Sequence, residues 1–243
     1  MLADDRRQVR RIQAAGDAVW DDAAWPYSLP PVAQLLREGL DLAPGVTFLV
    51  GENGSGKSTI VEAVAGAAGL NAEGGSRNVR HATRRTESPL GERLTVVRNP
   101  YARRWGYFLR AETMHGLYTY LDSVAEEQED PRPSLHDLSH GESFLQVLTD
   151  GFDQTGFYLM DEPEAALSFT SCLALVDLLA RLADADAQVL CATHSPLLTA
   201  LPGATILELG DHGFAPVAWE DLALVRHWRR YLDAPEAYLR HLL

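Results

Sequence analysis

The chain contains few cysteines, no long apolar run and no heptad repeat. Cys172 and Cys191 are its two cysteines and lie outside any C-x-x-C spacing, so the sequence predicts neither a disulfide framework nor a zinc site and favours a reducing compartment. No apolar run reaches the ~18 residues that a membrane span needs. The first residues, MLADDRRQVRR, lack the apolar segment of a secretory signal. These absences predict a soluble, cytoplasmic protein without membrane insertion.

Lysine is nearly absent as well. Arginine supplies 20 of the 21 basic residues, and Lys57 is the only lysine. Such a skew is typical of the codon bias of a high-GC genome. The one lysine stands in the run GENGSGKST, where a compact ammonium on a flexible stem is chemically useful. The net charge of −13 disfavours a protein that simply coats nucleic acid or an anionic membrane.

The order of apolar runs predicts one α/β domain. The 243 residues, 46% of them hydrophobic, suit a single domain over 1–243, with a small insertion or helical lobe at roughly 71–150. Strands that alternate with helices predict a mostly parallel sheet flanked by helices. The predicted helices are 32–40, 58–70, 113–127, 139–150, 170–183 and 221–243, and the predicted strands are 46–50, 157–160, 188–192, 205–209 and 214–219.

The strongest motif follows the first predicted strand. The run GENGSGKS matches the P-loop pattern G-x-x-x-x-G-K-[ST], between a strand and a helix, as that motif requires. Its glycines let backbone N–H groups curl around phosphates, and the helix N-terminus adds positive potential. Lys57 is predicted to reach the β- and γ-phosphates, Ser58 to ligate Mg²⁺ and Thr59 to contact the α-phosphate. The predicted phosphate-binding residues are Gly51, Glu52, Asn53, Gly54, Ser55, Gly56, Lys57, Ser58 and Thr59.

Two carboxylates end the strand at 157–160. Asp161 and Glu162 follow the apolar run FYLM, which is the Walker B arrangement of P-loop proteins. Asp161 is predicted to hold Mg²⁺, and Glu162 to polarise the attacking water. Two acidic residues at the end of a strand are common by themselves. It is their pairing with the P-loop that makes them candidates for catalysis.

A third motif, LSHGES at 138–143, precedes a predicted helix. Ser139 with Glu142 three positions later is also an ordinary helix capping box. The run resembles the signature motif of ABC ATPases, with Ser139 and Gly141 at their usual positions and with His140 and Glu142 substituted. That resemblance implies that Ser139 and Gly141 bind the γ-phosphate of an ATP held by another subunit.

A fourth motif, Thr193-His194-Ser195, follows the strand at 188–192. It resembles the switch-histidine loop of ABC ATPases. The resemblance implies that the His194 imidazole contacts the γ-phosphate and orients Glu162 and the water. A lone histidine at a strand end is more often structural, and that alternative stays open.

The four motifs occur in the order found in the ABC class. The phrases WPYSLP, GENGSGKST, GGSRN, FLRAE, SHGESFL, LMDEPEAALS and ATHSPLL also resemble a family of small stand-alone bacterial ATPases of that class, over nearly the whole chain. The resemblance implies a P-loop NTPase fold of ABC-ATPase type with a small helical signature lobe. It also implies binding of ATP and Mg²⁺ and hydrolysis of the ATP at composite sites in an ATP-dependent homodimer.

Two positions depart from the pattern of ABC transporters. Where those proteins have a glutamine after the third strand, this chain has FLRAE, and Glu112 is the candidate for that role. After the Walker B carboxylates, Ser168 stands where an aspartate is usual. This substitution puts the contact of that loop with a second subunit in question.

An arginine cluster spans Arg77–Arg110. It contains nine arginines against Glu87 and Glu92, inside an acidic protein. One interpretation is a surface for phosphate backbones of nucleic acid. The other, which we favour, is a solvated loop whose arginines pair with the acidic remainder or reach the ATP phosphates.

Three functions fit these motifs. The first is a soluble ABC-class ATPase that drives a conformational change in a partner process. The second is the nucleotide-binding subunit of a transporter, which the departures at Glu112 and Ser168 disfavour. The third is a DNA-linked ATPase in repair or phage defence, which would use the arginine cluster. Only 25 residues separate Glu112 from Leu138, so this chain has no room for coiled-coil arms.

Overall fold

The computed structural model describes most of the chain. The described residues are 5–71, 75–76, 88–103, 105–111, 134, 137, 143, 155–165 and 167–240. Within these residues, every helix is too short or too polar to cross a membrane. The predicted helices at 113–127 and 139–150 lie outside the described residues, apart from a single helical position at Ser143.

A seven-stranded sheet forms the centre. Its strands are β3 Gly45–Gly51, β4 Gly75–Ser76, β6 Gly106–Arg110, β7 Phe157–Asp161, β8 Gln188–Ala192, β9 Thr205–Gly210 and β10 Gly213–Pro216. They lie side by side in the order β10-β9-β3-β8-β7-β6-β4. The five inner strands run parallel, and the two outer strands pair antiparallel to their neighbours. This confirms the prediction of an α/β fold with a mostly parallel sheet.

A second sheet of three antiparallel strands packs beside the first. Its order is β2 (Leu40–Asp41), β1 (Val9–Ala14) and β5 (Leu94–Arg98). The sequence did not predict it. A register shift between Val9 and Arg11 interrupts the strand alternation of β1, so its buried residues lie three positions apart, at Val9 and Ile12. That spacing does not match the period of two that identifies a strand.

Helices cover both faces of the main sheet. They are α1 Pro30–Glu38, α2 Lys57–Ala68, α3 Phe169–Asp184, α4 Ala223–Asp233 and α5 Glu236–Leu239. Alternate side chains of a strand point to opposite faces, so Phe48 and Leu49 belong to different hydrophobic cores. The core around Phe48 includes α3, and the core around Leu49 includes α1, α2 and the second sheet.

The carboxyl-terminal tail is two helices rather than the one predicted. Helix α4 ends at Asp233, and α5 begins at Glu236. Pro235 explains the break, because a proline disfavours helical backbone in the residue before it. Ala234 accordingly has φ −150° and ψ 71°. Three short 3₁₀ turns complete the described elements, at Pro89–Arg93, Leu198–Ala200 and Trp219–Asp221.

Candidate functional site

The predicted site residues meet at one edge of the main sheet. Strands β3, β6, β7 and β8 run parallel, so their carboxyl ends share an edge. Arg110 lies opposite Asp161 in the register, and Asp161 lies opposite Ala192. The edge where parallel strands end is the usual place for a ligand in an open α/β sheet.

The loop between β3 and α2 requires its glycines. Gly54 and Gly56 have φ of +82° and +93°, a left-handed conformation that side chains disfavour. At Gly51 the constraint is space, because a Cβ atom there would lie 2.5 Å from the Leu209 carbonyl oxygen and 2.8 Å from Ser55 Oγ. The loop is therefore tightly curled against β9.

Lys57 lies within this curl. Its side chain is buried, and its Nζ donates to the carbonyl oxygens of Gly51 at 2.9 Å and Glu52 at 3.1 Å. Burial lowers the pKa of Lys57, while the charges of Glu162 and Asp161 act in the opposite direction. The Lys57 ammonium is thus held against the backbone of the loop, near the carboxylates of Asp161 and Glu162.

The first turn of α2 fits an anion. The helix begins after Gly56, no described side chain caps it, and its first turn carries no acidic residue. Its N–H groups and dipole are therefore open to a negative group. Ser55 Oγ is buried without a hydrogen-bond partner among the described residues. Ser58 and Thr59 are half-buried in this turn, and Glu52, Asn53 and Gly54 are exposed at the tip of the loop.

Asp161 and Arg110 form an ion pair at the ends of β7 and β6. Arg110 Nε lies 3.7 Å from Asp161 Oδ2, with side chains 21% and 6% exposed. Arg110 Nη1 also lies 2.9 Å from Glu62 Oε1 on α2. Arg110 is the last residue of the arginine cluster Arg77–Arg110, and its pairing with two carboxylates agrees with the favoured interpretation of that cluster.

Glu162 and His194 face each other. His194 Nε2 lies 3.2 Å from Glu162 Oε1, and both side chains are partly exposed. Glu162 has φ +48°, which is uncommon for a residue other than glycine and is typical of functional positions. Its N–H donates to the Ala192 carbonyl at 2.9 Å, which ties this turn to the end of β8.

Glu164, which the sequence analysis did not select, holds the loop after β8. Its Oε1 accepts hydrogen bonds from Thr193 Oγ1 and from the backbone N–H of His194, both at 2.6 Å. Burial raises the pKa of Glu164. Glu164 is the third carboxylate in the run DEPE at 161–164, and this position was the signal in the sequence that could have identified it. Glu164 thereby fixes the backbone from which the His194 imidazole projects.

Glu112, Ser139 and Gly141 lie outside the described residues. Ser168 is exposed and caps α3, where its Oγ accepts from the Ser171 N–H at 3.2 Å.

Metal binding would have to rest on few protein ligands. Across the described positions, no three His, Cys, Asp or Glu side chains are arranged to hold a metal ion. Ser58, in the first turn of α2, and Asp161, at the end of β7, each supply an oxygen donor. Such a pair suits Mg²⁺, which keeps several waters and takes its other ligands from phosphate oxygens.

Comparison with known proteins agrees with this geometry. An AAA domain model matches residues 35–97. A second AAA domain model, whose description names the AbiEii toxin and a Type IV TA system, matches residues 127–200. No curated protein matches the sequence.

Two solved structures share the fold at low sequence identity. One is a metal-chelate type ABC transporter in an inward-facing conformation, with 14% identity, a TM-score of 0.50 and coverage of 88% of this chain and 84% of the other. The other is cbiO1 from Clostridium perfringens, part of the ABC transporter complex cbiONQ, with 12% identity, a TM-score of 0.50 and coverage of 98% and 100%. This likeness shows that the chain has the fold of ABC-type ATPase domains.

Proposed function

We propose that this chain binds ATP with Mg²⁺ at the sheet edge and hydrolyses the bond between the β- and γ-phosphates, which releases ADP and phosphate. The observation that carries the proposal is the convergence of a buried lysine, an uncapped helix start and the Glu162–His194 pair at one edge. Each group has a distinct use in phosphoryl transfer, which depends on positioning and on stabilisation of charge.

The phosphates are held by the curled loop. Lys57 exchanges the two carbonyl oxygens that it now contacts for β- and γ-phosphate oxygens, and the N–H groups of 51–56 surround the phosphates. Thr59 contacts the α-phosphate from the first turn of α2. Ser58 and Asp161 hold the Mg²⁺, which when bound neutralises charge on the β- and γ-phosphates.

Glu162 acts as the general base. Its Oε1 accepts a proton from the attacking water, and His194 Nε2, 3.2 Å away, orients the carboxylate. The bond between Glu162 N–H and the Ala192 carbonyl and the bonds from Thr193 and His194 to Glu164 keep the two side chains facing each other.

A second subunit completes each site in this proposal. Ser139 and Gly141 of one protomer approach the γ-phosphate of the other, which gives two composite sites in a two-fold dimer. Glu112 takes the role of the usual glutamine. ATP binding closes the dimer and hydrolysis releases it, so that turnover drives a conformational change in a partner process.

The proposal is tested by calorimetric titration of a non-hydrolysable ATP analogue with Mg²⁺. Lys57→Ala removes two charge-assisted contacts worth ~1.5–3 kcal/mol each, so affinity is expected to fall by about a hundredfold or more. Arg181→Ala is the matched control, because it removes one positive charge from an exposed pair with Asp177 on α3. Unchanged affinity in a folded Lys57→Ala protein would refute the assignment.

A further inference from the structure

Arg110 is placed to act on the metal-binding carboxylate. Its guanidinium contacts carboxylates from two elements, Glu62 on α2 at 2.9 Å and Asp161 at the end of β7 at 3.7 Å. All three side chains are largely buried, with exposures of 21%, 19% and 6% for Arg110, Glu62 and Asp161. Ion pairs at this depth are screened by salt much less than those at the surface.

The guanidinium also contacts the helix that carries Ser58, the other proposed metal ligand. Glu62 is four residues after Ser58 on α2, so the two side chains lie on the same face of the helix, one turn apart. Because Arg110 contacts both Glu62 and Asp161, its charge lies beside the proposed metal ligand Asp161. A divalent cation held there would be repelled by the guanidinium and would share Asp161 with it.

We propose that Arg110 is the resident counter-ion of Asp161 and makes metal binding depend on the triphosphate. Without nucleotide, the guanidinium neutralises Asp161 and disfavours a divalent cation. With nucleotide, the negative phosphates outweigh the guanidinium, so the metal enters with them. Arg110 is a positioning residue in this account, which rests on the proposed function of Asp161.

Glu62 is the second carboxylate that contacts the Arg110 guanidinium. A guanidinium carries five donors in a rigid planar fork, so Arg110 can stay bonded to Glu62 while its contact with Asp161 loosens. The arginine therefore need not leave the site when the metal arrives.

The test measures Mn²⁺ binding by electron paramagnetic resonance, with and without a non-hydrolysable ATP analogue. Arg110→Met removes the charge, so nucleotide-free Mn²⁺ affinity is expected to rise by about tenfold or more. The change in the presence of nucleotide is expected to be smaller. Arg110→Lys keeps the charge and is expected to stay within about threefold of the wild type. Arg181→Met, the same change at an exposed site, is expected to have no effect.

Two further variants cover a failure of Arg110→Met to fold and separate the role of Arg110 from the effect of net charge. Arg110→Gln retains hydrogen-bond donors and serves if Arg110→Met does not fold. The double variant Arg110→Gln with Glu62→Gln has the net charge of the wild type but lacks the guanidinium beside Asp161, so it is expected to bind nucleotide-free Mn²⁺ more tightly than the wild type. Wild-type affinity in the folded single variants, or in the double variant, would overturn the proposal.

Asp161→Asn separates this inference from the proposed function. If Asp161 ligates the metal, Asp161→Asn weakens Mn²⁺ binding with nucleotide present. If Asp161→Asn has no effect, the proposed metal site fails and the role of Arg110 fails with it. If Asp161→Asn weakens binding but the Arg110 variants do not differ from the wild type, only the role of Arg110 is wrong.

Discussion

Replacing Glu164 with alanine should destabilise the protein by about 2–4 kcal/mol. Its Oε1 accepts two hydrogen bonds of 2.6 Å, from Thr193 Oγ1 and from the His194 N–H. Hydrogen bonds to a charged group contribute ~1.5–3 kcal/mol each, and removing the acceptor leaves both donors unsatisfied. The substitution also removes the desolvation penalty of the buried Glu164 carboxylate, which offsets part of that loss. Glu164→Gln keeps the Oε1 acceptor and should stay within about 1 kcal/mol of the wild type.

The same residue should produce a defined pH dependence. Burial raises the pKa of Glu164, so the folded protein holds this proton more tightly than the unfolded chain does. The stabilising contribution of the protonated group is complete below the unfolded pKa of about 4.3, and it is lost as the pH rises through the folded pKa. The stability of Glu164→Gln minus that of the wild type should therefore increase from pH 4 upward and level off above the folded pKa.

Urea unfolding followed by the fluorescence of the five tryptophans measures both effects. Asp177→Ala is the control, because it removes an exposed carboxylate and should change stability by less than about 0.5 kcal/mol. Two results would refute the reasoning. One is a Glu164→Ala protein as stable as the wild type, and the other is a stability difference for Glu164→Gln that stays constant from pH 4 to pH 8.

Two further substitutions test the loop and the helix that follows Glu162. Gly51→Ala puts a Cβ atom 2.5 Å from the Leu209 carbonyl oxygen, so it should lower the urea midpoint and weaken ATP-analogue binding. Its control is Gly66→Ala within α2, where a Cβ meets nothing within 4 Å and should raise stability by about 0.5–1 kcal/mol. Equal urea midpoints for Gly51→Ala and Gly66→Ala would contradict the close approach of Gly51 to the Leu209 carbonyl oxygen. Ser168→Ala removes the N-cap of α3 and should cost ~1 kcal/mol in the same unfolding assay, whereas no loss would mean that this cap is not stabilising.

The sequence predicted five of the seven strands of the main sheet and missed β4 and β6. Strands β3, β7 and β8 are nearly continuous apolar runs that end at glycine, at the acidic pair or at the polar loop, and these endings mark the site edge. The small antiparallel sheet escaped prediction because arginines occupy two of the four half-buried positions of β1 and a register shift breaks its alternation.

The site residues that the sequence missed depend on long-range contacts. Arg110 meets Glu62 and Asp161, which are distant in the sequence, and only the register of β6 against β7 brings them together. Glu164 acts through Thr193 and His194, again across two strand ends. Motif patterns select the residues of a motif, but not the partners that hold them in position. The predicted roles of Glu112, Ser139 and Gly141 remain predictions, since these residues lie outside the described part of the chain.

The most direct test of the central claim is a paired measurement on Glu162→Gln. The substitution keeps the shape of the side chain and removes the general base, so the affinity for Mg-ATP should stay within about threefold of the wild type. Phosphate release at saturating Mg-ATP should fall by a factor on the order of 10² to 10⁴, the usual contribution of a general base. Release at the wild-type rate, or loss of ATP binding in the folded variant, would contradict the proposed mechanism.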